Sequence, residues 1–176
     1  MTALWAAFVA AIVLVLAPHA ALAQTEGRRP LAWDVARAVL VDPTTFAPAV
    51  VSYASMRHDW KTSQILFTHG WVEQNPRFTI SGRPNDVPVG YHEGISRIRG
   101  VALTVLQYSA INNLGAAVAE RLLVARCPHR KTLIRTLSWI ERIAFASVLA
   151  YSNSADHLRQ ASANRRLARA HGYIAR

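Results

Sequence analysis

Twenty consecutive residues, Gly100 to Ala119, carry no charged side chain. A run of that length is either a helix buried by its neighbours or one that crosses a bilayer, since about 20 residues at ~1.5 Å each match the hydrocarbon core. Gln107, Ser109, Asn112 and Asn113 lie within it. In lipid such groups are costly unless they face a partner helix. The sequence predicts this helix from about Ser96 to Arg126, stopping before Pro128.

Two further helices flank it. One begins at Asp42-Pro43: Asp is a good N-cap, and Pro suits the first helical position, where its missing N–H would be unpaired anyway. Phe46, Val50, Tyr53, Trp60, Phe67 and Trp71 then recur at helical steps as one apolar stripe. Pro76 pushes Asn75 out of the α region, so that helix is expected to stop by Asn75. Gly82, Pro84, Asn85, Asp86, Pro88, Gly90 and Gly94 mark residues 77–94 as loop. The last helix starts near Lys131 and runs toward His171, where Gly172 can cap it. A short helix fits Trp33 to Val41. No strand, repeat or low-complexity tract is evident. The expected class is all-α, a small bundle of three main helices over residues 42–171, with 24–41 an N-terminal segment and 172–176 a tail.

Residues 1–23 read as an address. Leu4 to Leu16 is an uncharged apolar run that Pro18 ends, and Ala21-Leu22-Ala23 offers small residues before Gln24, as a signal peptidase requires. The front of the chain has no Lys or Arg, while Arg28 and Arg29 follow the run. An uncleaved anchor is the rival reading. Both deliver the protein to or across a membrane. The single cysteine, Cys127, excludes an intrachain disulfide and a multi-cysteine zinc site.

Charge is unevenly placed. Residues 24–96 hold seven basic and seven acidic side chains, whereas residues 97–176 hold thirteen basic and three acidic. The formal charge of +10 therefore belongs to the C-terminal half. Arg159, Arg165, Arg166 and Arg169 form a basic helix end that anionic lipid headgroups attract. Nucleic acid is not an expected partner, because an exported protein rarely meets it and base-stacking aromatics are scarce there.

Membrane crossing by the mature chain stays open at this level. The first helix carries Arg57, His58, Asp59 and Lys61, and each charge at mid-membrane costs about 2.5–3.5 kcal/mol on insertion scales. The last helix has thirteen uncharged residues, Ile143 to Ala155. A three-span arrangement places nine basic residues on one side and eight on the other, which favours no orientation.

One constellation stands out. On the period of the first helix, Asp59, Ser63, Leu66, Gly70 and Glu73 share a face distinct from the aromatic stripe. Asp59 can share hydrogen bonds with Thr62 and Ser63, or with Asn112 or Asn113 of the second helix. On that straight helix Asp59 and Glu73 would stand roughly 21 Å apart, too far for an acid/base pair. The candidate binding set is Asp59, Thr62, Ser63, Gly70, Glu73 and Asn75.

An Asp, then Thr/Ser three and four residues on, then Gly, then Glu-x-Asn-Pro resembles small bacterial proteins of unknown function that are predicted helical membrane proteins, sometimes behind an export signal. The matching residues are Asp59, Thr62, Ser63, Gly70, Glu73, Asn75 and Pro76, about eighteen residues of the chain, with Asn153 a further echo. The resemblance implies apolar helices and membrane placement; it implies no chemistry.

His69 and Glu73, at i and i+4, could share a metal, with His58, His92 and Glu93, or His129 as a third ligand. Cys127 in its basic turn could be a reactive thiol. No cofactor motif occurs: neither a Walker loop, G-x-G-x-x-G, G-x-S-x-G nor H-E-x-x-H. The expectation is an exported helical protein, in or against the outer side of the cytoplasmic membrane, with a structural or interaction role. A soluble periplasmic module binding a metal or an anionic ligand is the alternative, and an enzyme has the weakest support.

Overall fold

The computed structural model describes residues 31–174. The signal or anchor segment expected over 1–23 lies outside the described residues. The described chain is all-α: α1 Leu31–Leu40, α2 Pro43–Phe67, α3 Tyr91–Arg126 and α4 Lys131–Ala170. A segment without regular helix or strand, residues 68–90, joins α2 to α3 and contains a short 3₁₀ turn, Pro76–Phe78.

Local chemistry sets most of the boundaries. Asp42 caps α2 by accepting from the Thr44 N–H at 2.9 Å, with Pro43 in the first turn. Pro128 opens the 3₁₀ turn between α3 and α4. Beyond α4, Gly172 takes φ +73°, where an L side chain is strained.

Two boundaries differ from the sequence expectation. The first helix ends at Phe67 and does not run to Asn75. Gly70, at φ +83°, turns the backbone left-handed, and the Trp71 N–H returns to the Leu66 carbonyl at 3.2 Å. Pro76 marked the latest stop, and glycine made an earlier one. The second helix begins at Tyr91, so Gly94 is helical and is not part of the loop.

The connecting segment folds back as a strap. Isolated antiparallel bridges tie Glu73 to Asp86 and Thr79 to Pro88, and Thr79 is fully buried. Phe78 and Val89 on the strap join Met56 and Trp60 of α2 and Ile98 of α3 in the apolar core. Trp60 is held by the Tyr91 carbonyl, which accepts from Nε1 at 3.1 Å, and by Phe67 and Phe78 at centroid distances of 5.5 and 5.3 Å. Gly94 is required here, because a Cβ at that position would lie 2.2–2.5 Å from the Trp60 ring.

The expected stripe on α2 is only half core. Tyr53, Trp60 and Phe67 pack inward, whereas Phe46 and Val50 are exposed and Trp71 lies beyond the helix. The buried positions in the first half of α2 are small or polar: Thr45, Pro48, Ala49, Ser52 and Ser55. That half turns its large apolar side chains outward. Exposed Leu103 and Tyr108 on α3, and Phe145, Val148 (69%) and Tyr151 (68%) on α4, do the same. Among the described residues α3 alone is long and apolar enough to cross a membrane, and only 17% of its most apolar window is buried.

Candidate functional site

Asp59, Thr62 and Ser63 stand at i, i+3 and i+4 on α2, so one face presents all three. Both hydroxyls donate back to the Asp59 carbonyl, at 2.9 and 3.0 Å. The Asp59 carboxylate reaches across to α4. Its Oδ2 lies 2.8 Å from His157 Nδ1, and its Oδ1 accepts from Asn164 Nδ2 at 3.1 Å. The same Asn164 nitrogen lies 2.8 Å from Ser63 Oγ and 3.5 Å from Thr62 Oγ1. Gln160 donates to the Asn164 amide oxygen at 3.0 Å. Asn164 is buried, as is Ser63.

The expected partners of Asp59 were Thr62 and Ser63, or Asn112 or Asn113; Thr62 and Ser63 donate to its carbonyl, while the carboxylate is bound by α4 and not by α3. Asn113 instead donates to Thr45 Oγ1 at 2.6 Å and Thr44 Oγ1 at 2.9 Å, at the start of α2. His157, Gln160 and Asn164 were missed by the sequence reading. With Asn153 they repeat at four-, three- and four-residue steps, a polar stripe on one face of α4 that could have drawn notice.

Glu73 and Gly70 are not on the helix face that carries Asp59. Gly70 is the exposed turn that ends α2. The strap then brings Glu73 back, so the separation of roughly 21 Å that a straight helix would impose does not hold. Burial raises the Glu73 carboxyl above its ordinary value, and the Asp59 charge adds to the rise. The Asn75 and Gln74 N–H groups and the His157 charge act the other way. Asn75 receives a turn-forming role: its N–H donates to Glu73 Oε1 at 2.7 Å, and its Oδ1 accepts from Arg77 N–H at 3.1 Å. Glu-x-Asn-Pro is therefore the brace of the strap.

The metal expectation for His69 and Glu73 loses its geometric basis, because the i, i+4 relation needs a helix that has already ended. His69 Nδ1 lies 2.7 Å from the Ile65 carbonyl, and its ring stacks on Tyr173 at 3.7 Å. Among the described residues no group of three His, Cys, Asp or Glu is placed to hold a metal. The four tail arginines, Arg159, Arg165, Arg166 and Arg169, are all exposed, and Arg159 pairs with Asp156.

A second polar assembly lies at the start of α2. Arg142 of α4 binds the capping Asp42 at 2.9 Å and Glu120 of α3 at 3.2 Å, with side-chain exposures of 12–22%. Arg135 adds a longer contact to Glu120 at 3.6 Å. Charged groups this far from water are stable only when paired.

No family model, curated protein or solved structure matches the chain.

The chemistry of the clasp follows from its geometry. Both oxygens of Asp59 are occupied by α4, and the hydroxyls of Thr62 and Ser63 are turned to the backbone. Each carboxylate oxygen thus has one partner on α4. The set Asp59, Thr62 and Ser63 locks α2 to α4.

Proposed function

We propose that the protein is an exported, membrane-embedded helical scaffold with a structural or interaction role. One observation supports this most. The contacts Asp42–Arg142 and Asp59–His157, 100 and 98 residues apart, set α2 and α4 in register. Between these two charged levels lie only uncharged residues: 43–56 on α2, 100–119 on α3 and 143–155 on α4. At ~1.5 Å per residue these measure about 21, 30 and 20 Å. They form a slab whose outer surface carries Phe46, Val50, Val51, Leu103, Phe145, Val148 and Tyr151. Charges collect at both margins, and those of Asp42, Glu120 and Arg142 are turned inward and paired. Such a surface suits lipid, which does not penalise outward apolar side chains, and the polar residues inside the bundle join helices that have no hydrophobic drive to associate. Exposed Trp139 lies just outside the slab on α4, where an interfacial aromatic would sit.

The test is fractionation of the expressed protein, with a high-salt wash followed by an alkaline wash, and an intact mass on the same material. Retention in the pellet through both washes is the expected result. Release by salt alone, with a mass beginning at Gln24, would overturn the reading.

A further inference from the structure

We infer that the groove between α3 and α4 receives a transmembrane helix of a second membrane protein, one that continues past the bilayer with acidic residues. This rests on the membrane reading above.

The groove has a volume of about 570 Å³ and runs along α3 from Tyr108 to Leu123. Those helical steps span about 22 Å. It crosses the Glu120–Arg142 level that bounds the apolar slab. Ile111, Asn112, Gly115 and Phe145 line it inside the slab, whereas Leu123, Ile134 and Leu137 line it outside. Lipid covers only the first set. Leu123 and Leu137 are 50% and 56% exposed on the hairpin that leaves the slab, and apolar surface there calls for a protein partner. A helix follows both halves, because its backbone groups stay paired in lipid and in water alike. Space so narrow and long takes one ridge of helix side chains. Small residues at Gly115, Ala116 and Ala119 let the two backbones come close, and a Cβ added to Gly115 would meet nothing within 4 Å. Asn112 Nδ2 is buried in this wall without a hydrogen-bond partner. Such a donor is costly to leave unmade, and a hydroxyl on the incoming helix completes it.

Beyond the slab, charge selects the partner. Arg126 lies seven residues past Ala119, about 10 Å along the helix, whereas the headgroup layer on each side is about 5–8 Å deep. The turn between α3 and α4 therefore stands past the lipid phosphates. Arg126, Arg130 and Lys131 are exposed there, and among the described residues no carboxylate pairs with them. Arg126 follows Leu123 by three residues and Lys131 precedes Ile134 by three, so both cations continue the walls of the groove. Carboxylates on the extension of a docked helix meet them. Glu141 is exposed on the lip, ten residues from Lys131 along α4. That is about 15 Å, well beyond the ~8 Å Debye length, so it does not cancel the turn. A second copy embedded in the same sense would set its own cations against these.

The test uses the purified full chain in mild detergent and two synthetic dansyl-labelled peptides. Each has a Leu/Ala stretch of about 20 residues with one Ser. A helical extension follows, carrying three Glu in one peptide and three Lys in the other. Binding is read as energy transfer from the protein's tryptophans to dansyl. Micelles hold both molecules whether or not the protein pellets with membranes, so failure here is separable from failure of the fractionation test. The Glu peptide is expected to bind one to one, about tenfold or more tighter than the Lys peptide, from three exposed charge pairs. Gly115→Leu, which suits a helix and fills the groove, should abolish binding of both peptides with unchanged circular dichroism. Replacing Arg126, Arg130 and Lys131 by Gln, all at exposed positions, should bring the Glu peptide to the level of the Lys peptide. Equal affinity for the two peptides, or full binding by either variant, would overturn the inference. Displacement of the Glu peptide by phosphatidylglycerol would overturn it in favour of lipid. A dimer that Gly115→Leu converts to monomer would overturn it in favour of a second copy. Failure of both peptides with a mass beginning at Met1 would overturn it in favour of residues 2–25 of the chain itself.

Discussion

Replacing Gly94 by Ala inserts one methyl group where the Trp60 ring already stands. The new carbon would lie 2.2 Å from Cε2 and 2.4 Å from Cζ2. Carbon atoms pack at about 3.5–4.0 Å, so ring or helix must give by more than an ångström. The ring has little freedom: it is 3% exposed, fenced by Phe67 and Phe78, and tethered to the Tyr91 carbonyl. Overpacking of this kind costs about 1–3 kcal/mol. Loss of the indole hydrogen bond adds about 1 kcal/mol. Alanine returns up to ~1 kcal/mol in helix propensity. The net destabilisation is about 1–3 kcal/mol, a fall in Tm of about 2–12 °C for a chain of this length. The assay is thermal unfolding followed by circular dichroism. Trp60→Phe, which removes the clashing ring edge, should suppress most of the penalty in the double variant, a coupling read from a double-mutant cycle. A Gly94→Ala protein that melts at or above the wild-type temperature would refute the packing described around Trp60.

Two further outcomes follow from the clasp and the strap. Asn164→Ala strips the partner from Asp59 Oδ1 and Ser63 Oγ and should cost about 1–3 kcal/mol; an unchanged melting curve would show that α4 is not clasped there. The fold holds the Glu73 carboxyl above its ordinary 4.5, so the stability it contributes as a neutral group is complete below that value and lost as pH rises through the raised one. Glu73→Gln should therefore raise Tm at pH 7 and match wild type near pH 4, and a gain of equal size at both pH values would contradict the burial of that carboxyl.

Features set by neighbouring residues were legible in the sequence. Asp42-Pro43, Pro128 and Gly172 each dictate a local backbone state, and the ends of α2, α3 and α4 that depend on them fall where expected. The end of α2 was misplaced because Gly70 is compatible with a helix interior or a stop, and only the return of the strap decides between them. The inward or outward sense of the α2 stripe was hidden for a similar reason: the periodicity of Phe46, Val50 and Tyr53 identifies a face but not what covers it. Asp59 was recognised as a residue in need of partners. Their identity was not, since His157 and Asn164 lie 98 and 105 residues away and only the register of α4 delivers them.

That long separation also orders events during synthesis. α2 can pair with α3 as soon as Trp60 meets Gly94, but the Asp59 carboxylate waits for residues 157–164, and Trp71 waits for Tyr173, 102 residues on. Contacts closed across so much chain form slowly and late. A nascent or truncated protein would thus present an unsatisfied carboxylate in the middle of α2 until its last helix emerges. Until then the side of α2 that faces α4 lacks the contacts that hold the two helices in register.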